Sequence, residues 1–317
     1  MAASSEPDGK GSRPRVVVIS GPTASGKSSL AIQMAIDCDA EIISADSRQI
    51  FCQLKIGTGR LSESEQKGIP HHLMGTVSLG ERFTAFDFVR QSRLLIGQIN
   101  ERGKKVIICG GTGLYLRALI DGIFEIPDDD MSYRQELIDL AARSGSPVLH
   151  DMLARVDPDE AAAIHPNNLI KIIRALEIFH VAGRTKSELM KEKSSDNAAC
   201  FLQIVLMPER QKLYKAIEMR VDQMIGDGLT AEAKTIFESP LRAALRNSKI
   251  VGYSELIDYF EGRYSLDTAI ELIKQNTRRY AKRQYTWFRH IAKREVIPEF
   301  GRDAVASCRN LISAFWE

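Results

Sequence analysis

Residues Gly21 to Ser28 read GPTASGKS and stand directly behind the apolar run Val16-Val17-Val18-Ile19. This is a G-x-x-x-x-G-K-S phosphate-binding loop in the context it needs, a buried strand feeding a glycine-rich turn. Gly21, Pro22, Thr23, Ala24, Ser25 and Gly26 form the turn, in which Gly21 and Gly26 let the backbone curl around an anion. Lys27 adds a point charge, and Ser28 offers a hydroxyl to Mg²⁺. The helix expected to start near Ser28 aims its positive end at the same spot. The loop therefore asks for a ligand with two or more linked phosphates. It does not choose between a nucleotide and another diphosphate.

At 317 residues the chain can bury one large core, or a core and a smaller second unit. Its net charge of +2 is nearly balanced, so any role on nucleic acid must rest on local clusters. Cys38, Cys52, Cys109, Cys200 and Cys308 are scattered without a C-x-x-C pair. That spacing argues against a zinc site and a disulfide framework, and suits a reducing cytoplasm. No apolar stretch approaches membrane-spanning length. The opening MAASSEPDGKGSRPR is polar, and residues 1–13 read as a disordered leader.

The first third alternates apolar runs with helical periodicity. RVVVIS, AEIISAD and KKVIICGG read as strands, separated by helices over SSLAIQMAID and AFDFVRQSRLLIGQINERG. KIGTGRLSESEQKGIPHHL reads as a polar loop, and a further helix opens at LYLRALIDG. Strands so separated imply a parallel sheet covered on both faces, with ligand at the strands' carboxyl ends. After IFEIPDDDM the spacing is helical only, up to an exposed linker at KEKSSDN. CFLQIVLM restores a strand. Helices over KLYKAIEMRVDQMIGDG and TAEAKTIFES follow, then a loop around SKIVGYSEL and one long helix from about Ser265 to Lys293. The expected division is a catalytic core at 14–124 and 201–317, with a helical insertion at 125–200.

Three loops at strand ends would converge: the phosphate loop, Ser44-Ala45-Asp46-Ser47-Arg48-Gln49, and Gly110-Gly111-Thr112-Gly113. On its residues alone, Asp46 could hold Mg²⁺, act as a base or cap the next helix. The glycines around Thr112 could form only a tight turn. His71 and His72 lack a partner at ligand spacing and read as loop histidines.

GPTASGKS, ADSRQIF, IGTG, IPHHL, GGTGLYLRALIDG, IHPNN with RALE, VGYSEL and NTRRYAKRQYTWFR follow one another in this order. Together they closely resemble the bacterial tRNA dimethylallyltransferases, from about Arg15 to His290. The resemblance implies a P-loop NTPase-like α/β fold, a parallel sheet flanked by helices with an all-helical insertion. It implies transfer of a dimethylallyl group from dimethylallyl diphosphate to N6 of the adenosine just 3′ of the anticodon, with Mg²⁺. The loop would then cradle the donor's diphosphate, with Lys27 stabilising the departing charge and Arg220 as a further partner. Asp46 would be the base, Ser47, Arg48 and Gln49 would meet the adenosine, and Thr112 would line the channel between the substrates.

The resemblance also implies that the insertion binds tRNA through Ile170, Lys171 and Arg174, with Arg134 a further candidate. Lys249 and the basic stretch Arg278, Lys282 and Arg283 would do so from the core. Lys274 to Arg294 is rich in basic residues of one sign, as an RNA face requires. Arg278, Lys282, Tyr285 and Arg289 fall near one face at helical spacing, while Ile273, Tyr280 and Trp287 repeat every seven residues and are expected inward. The chain departs from the family pattern at Phe51 for Tyr, Arg60-Leu61 for Lys-Pro, Asn168 for Asp and Lys171 for Arg. The last exchanges a bidentate donor for a point charge. A small-molecule kinase, an enzyme prenylating free adenosine nucleotides and a non-catalytic RNA binder share parts of this pattern. The expected working unit is a cytoplasmic monomer acting on the anticodon stem-loop.

Overall fold

The computed structural model describes residues 13–123, 130–191 and 199–317. The expected leader lies outside these apart from Arg13, as do most of IFEIPDDDM and KEKSSDN. The chain divides into two compact units, 1–120 with 197–317, and 121–196.

The first unit begins with β1 (Arg15–Ser20), α1 (Lys27–Cys38) and β2 (Ala40–Ser44). Next come α2 (Glu63–Gln66), β3 (His71–His72), α3 (Ala85–Glu101), β4 (Lys105–Gly110) and α4 (Gly113–Asp121). Helices α5 (Met131–Ser144), α6 (Ser146–Val156), α7 (Pro158–Ala163), α8 (Leu169–Ala182) and α9 (Lys186–Lys191) form the second unit. The chain returns through β5 (Cys200–Leu206), α10 (Arg210–Gly226), α11 (Leu229–Phe237), α12 (Arg242–Ser248) and α13 (Tyr253–Phe260). It ends with α14 (Leu266–Arg289), β6 (Glu295–Ile297) and α15 (Ala304–Trp316).

The strands form one sheet in the order β3-β2-β4-β1-β5-β6, and each described pairing is parallel. Val17 of β1 pairs with Ile107 of β4 on one side and Leu202 of β5 on the other. A strand flanked on both edges and covered on both faces must be apolar throughout. Val16, Val17, Val18 and Ile19 meet that demand, and all four are buried. The connection after β1 crosses to β2 and the one after β4 returns to β5, so the order reverses beside β1. The carboxyl ends at that switch point are where an open sheet of this kind takes its ligand.

Three stretches differ from the sequence reading. The polar loop from Lys55 to Leu73 contains α2 and the edge strand β3, which pairs with Ile42 and Ile43. Two residues carry no alternation to read. The strand is held by the Ile42 N–H donating to the Pro70 carbonyl (2.9 Å) and by His72 against Glu41 (2.7 Å). Around SKIVGYSEL, α12 and α13 leave only residues 249–252 between them. The long helix ends at Arg289, short of Lys293.

The segment 301–317, left without a role by its sequence, completes the core. Ala304, Cys308 and Ile312 of α15 pack with Leu30 and Met34 of α1 and with β1. The second unit has its own core of Leu137, Leu149, Leu153, Ile172, Ile173 and Leu176. No described helix is long and apolar enough to cross a membrane.

Candidate active site

The phosphate loop adopts the shape its glycines permit. Gly26 caps α1 in a left-handed conformation (φ 82°). Ala24 is also left-handed (φ 62°), which costs a residue bearing a Cβ about 1–3 kcal/mol. Such strain collects at ligand clamps. Lys27 folds back so that its Nζ donates to the Pro22 carbonyl at 3.2 Å. Burial lowers the Lys27 pKa, Cys109 and Asp46 oppose that shift, and Arg220 reinforces it. Burial also raises the neighbouring Cys109 thiol to about 11, against the pull of Lys27 and of the Ser28 hydroxyl. Cys109 is therefore a neutral thiol at physiological pH, not a nucleophile.

The loop after β2 stands beside it. Asp46 Oδ1 accepts from the Arg48 N–H (2.9 Å) and the Gln49 N–H (3.3 Å). The carboxylate thus caps a turn, and it also lines the same cavity as Lys27. The capping reading and the chemical one describe the same side chain. Thr112 accepts from the Ser47 N–H at 2.9 Å and donates to Ser47 Oγ at 3.3 Å. It buttresses the Asp46 loop and is not among the residues that line the cavity. Gln49 donates through Nε2 to the carbonyls of Thr58 and Gly59, both at 3.2 Å.

Arg220 reaches the site from α10 and lies on Gly59, where any Cβ would collide with its guanidinium. Its pKa is lowered by burial, with Asp46 pulling the other way. Lys27 and Arg220 therefore share with Asp46 a poorly solvated space that is biased toward an anion. The cavity they line has a volume of about 210 Å³. Its lining combines polar side chains, Thr23, Lys27, Ser28, Asp46 and Arg220, with apolar ones, Ile217, Val221, Met224, Leu229, Ile250 and Ile273.

Sequence reasoning missed this apolar lining. Its signal was present in α10, where Ile217, Arg220, Val221 and Met224 follow i, i+3, i+4, i+7 spacing on one face. It also missed Glu232 of α11. That carboxylate accepts from the N–H groups of Lys55 (3.0 Å), Ile56 (3.0 Å) and Gly57 (3.3 Å) and from the Tyr253 hydroxyl (2.5 Å). It fixes the segment on which Arg220 rests. No local motif announces such a contact, because the Lys55–Gly57 donors lie 175 to 177 residues from Glu232 in the chain.

The other candidates fall into two groups. Lys249, left-handed at φ 48°, and Arg283 line the cavity. Lys282 is exposed, whereas Arg278 pairs with Glu218 at 2.7 Å. Tyr285 is buried, with its hydroxyl donating to the Pro208 carbonyl, and so leaves the exposed basic face. Trp287, expected inward, is 38% exposed. A straight helix drifts about 20° per heptad, so a seven-residue repeat rotates off the core face by its third member. The core stripe instead runs through Ile273, Ala281, Tyr285 and Phe288.

In the second unit Lys171 is exposed and Ile170 is 84% exposed on the first turn of α8. Arg134 grips Glu177 through Nε–Oε1 (2.5 Å) and Nη2–Oε2 (2.8 Å), and Arg174 Nη1 approaches the same carboxylate at 3.4 Å. Glu177 is buried, so both arginines neutralise an interior charge.

The donor set fits Mg²⁺ of the substrate-bridging kind. Ser28 and Asp46 supply hard oxygens to one cavity. The described residues hold no cluster of three or more acidic, histidine or cysteine side chains. Mg²⁺ commonly takes one or two protein oxygens and completes its shell with water and substrate phosphate.

A phosphate loop at the switch point of a parallel sheet defines a P-loop NTPase-like α/β protein. Residues 49–291 match the model of the IPP transferase family, and the chain belongs to that family. It is 46% identical over 277 residues to the tRNA dimethylallyltransferase of Geobacillus thermodenitrificans, covering 87% of this chain and 88% of that one. The Bacillus subtilis tRNA dimethylallyltransferase is 43% identical over 276 residues, covering 87% and 88%. Among solved structures, a tRNA isopentenylpyrophosphate transferase from Bacillus halodurans superposes with a TM-score of 0.70 at 37% identity, covering 96% of this chain and 97% of that one. A eukaryotic dimethylallyltransferase acting on tRNA gives a TM-score of 0.80 at 27% identity, covering 95% and 80%.

Proposed function

We propose that this chain transfers a dimethylallyl group from dimethylallyl diphosphate to N6 of the adenosine just 3′ of the anticodon in tRNA, releasing diphosphate. One observation carries the reading. Lys27, Ser28 and Arg220 line a single small cavity together with Asp46 and with the apolar Ile217, Val221, Met224 and Leu229. An ester with a charged head and a five-carbon apolar tail suits a lining of both kinds; a purely polar ligand would leave the apolar part unmatched. Family membership and the names of the relatives agree with this assignment.

The chemistry follows from the residues. As the allylic C–O bond breaks, both its electrons go to the diphosphate. Lys27, Arg220 and the N–H groups of the phosphate loop stabilise that charge as it develops. The adenosine amine attacks the allylic carbon, and Asp46 takes the proton the amine must lose. Mg²⁺, held by Ser28 and phosphate oxygens, would neutralise part of the donor's charge when bound. The acceptor base must leave its stack to reach the cavity, as for other enzymes that act on a base edge. Arg283, Lys282 and Lys249 stand on the same unit to hold its phosphates, with Lys171 on the helical unit. The working unit in this reading is a cytoplasmic monomer, and the acceptor is the anticodon stem-loop.

The test is incubation with dimethylallyl diphosphate, Mg²⁺ and unmodified tRNA, followed by mass spectrometry of the nucleosides. The expected result is adenosine heavier by one C5H8 unit. Phosphate released from ATP, with no prenylated nucleoside, would overturn the assignment.

A further inference from the structure

Gln284 of α14 joins two of the three loops that build the site. It is 6% exposed, on the core side of a helix whose preceding residues, Lys282 and Arg283, are exposed cations. Its Oε1 accepts from the Thr23 N–H of the phosphate loop at 2.8 Å. Its Nε2 donates to the carbonyl of Gly111, in the turn after β4, at 2.9 Å. A backbone N–H can only donate and a carbonyl can only accept, so the amide has one orientation that satisfies both. The next residue along the turn, Thr112, receives the Ser47 N–H and so fixes the loop that carries Asp46. The path from diphosphate cradle to carboxylate thus runs Thr23, Gln284, Gly111, Thr112, Ser47.

We propose that Gln284 is a positioning residue that sets the phosphate loop in register with the Asp46 loop. Its effect on turnover rests on the transferase reading above; its effect on anion binding does not. The physical reason is the geometry a displacement demands. Leaving diphosphate and attacking amine must lie on opposite sides of the reacting carbon, with the carboxylate against the amine, and a shift of about 1 Å can cost roughly a hundredfold in rate. The phosphate loop is short, strained at Ala24 and turned by Gly26, so its inner face needs an outside support. A buried amide bonded on both sides gives that support, because either partner would be left unsatisfied without it.

The experiment compares wild type with Gln284→Met, which keeps the side chain's length and removes both bonds, and with Gln284→Glu. The second retains the acceptor for Thr23 and sets another acceptor against the Gly111 carbonyl. Inorganic diphosphate with Mg²⁺ is titrated by calorimetry, kcat and KM for both substrates are measured, and thermal unfolding is followed. In either folded variant the expected result is diphosphate affinity down about tenfold, the equivalent of one to two hydrogen bonds. Donor KM should rise and kcat fall, while tRNA affinity stays near wild type. Wild-type values for diphosphate affinity, donor KM and kcat in a folded variant would overturn the proposal. So would a kcat loss that matches the unfolded fraction with donor KM unchanged. Failure of the wild type to prenylate tRNA would sink the functional assignment, yet diphosphate affinity would still decide the role of Gln284.

Discussion

Gly26 and Gly301 meet backbone to backbone at the edge of the phosphate loop. The Gly301 N–H donates to the Ser25 carbonyl at 3.2 Å, and a Cβ on Gly26 would collide with the Gly301 Cα. The motif asks for glycine at this position because of its left-handed φ, and the packing of the C-terminal segment adds a second reason. Residue 301 lies beyond the span matched by the family model, so this brace stands outside it. Gly26→Ala is expected to abolish diphosphate binding in calorimetry. Retention of wild-type affinity would show that the loop and its brace can part without consequence.

Asp46 is better tested with Asn than with Ala. The amide oxygen of Asn can still accept from the Arg48 and Gln49 N–H groups, so the turn survives while the basic oxygen is lost. Asp46→Asn should lower kcat by about 10²–10⁴, the range for general-base removal, with tRNA affinity within a few-fold. A near-normal rate would remove Asp46 as the base. Asp46→Ala should lose the turn as well and raise donor KM.

Lys27 gives the site a pH signature. Burial lowers its pKa below the ordinary value of 10.5. In the donor-free protein the folded state therefore holds fewer protons than the unfolded state between the lowered value and 10.5. Stability should rise with pH across that window. An arriving diphosphate favours the charged ammonium, so binding takes up protons there and weakens as pH rises. Calorimetry in buffers of different ionisation enthalpy measures the uptake, and Lys27→Met should abolish it. An uptake unchanged in that variant would assign it to another group.

Glu232 tests whether the Lys55–Gly57 segment is held from outside. Gln in its place would replace one of the two accepting oxygens by an NH2, set either against the N–H groups of Lys55 and Ile56 or against those of Ile56 and Gly57 with the Tyr253 hydroxyl. The expected loss is about 1–3 kcal/mol in urea unfolding, the penalty of leaving such groups unsatisfied. Donor KM should rise too, because Arg220 rests on Gly59 of the same loop. Tyr253→Phe, which removes one of the four donors to Glu232, should show a smaller change of the same sign.

What the sequence revealed and what it hid divide along one physical line. GPTASGKS behind four apolar residues fixes a strand, a turn and a helix start by local sterics alone, and the structure has them where expected. Apolar runs and period-3.6 signals likewise located β2, β4, β5 and most helices. The edge strands β3 and β6 were illegible because pairing with a neighbour, not their own pattern, makes them strands. The anchors Glu232 and Gln284 were hidden for the same reason, since each acts on a loop distant in sequence. Trp287 was misplaced because a heptad ruler was laid on a helix of ordinary pitch, and Tyr285 because its tertiary contact with Pro208 draws it inward from the basic face.

Arg134 and Arg283, both basic and both named as RNA-binding by resemblance, should separate on mutation. Arg134 is bidentate to the buried Glu177, and Arg174 approaches the same carboxylate. Arg134→Ala leaves that carboxylate with a weaker partner, and should destabilise the helical unit by about 1–3 kcal/mol, less than the loss of a sole partner. Its tRNA binding, measured at a temperature where the unit is folded, should keep the salt dependence of wild type. Arg283 lines the cavity and lies 5.7 Å over the Tyr280 ring. Arg283→Ala should leave unfolding nearly unchanged, weaken tRNA binding and reduce the salt slope by about one unit for each phosphate it no longer neutralises. The reverse pattern, with the slope altered at Arg134 and stability altered at Arg283, would exchange their roles.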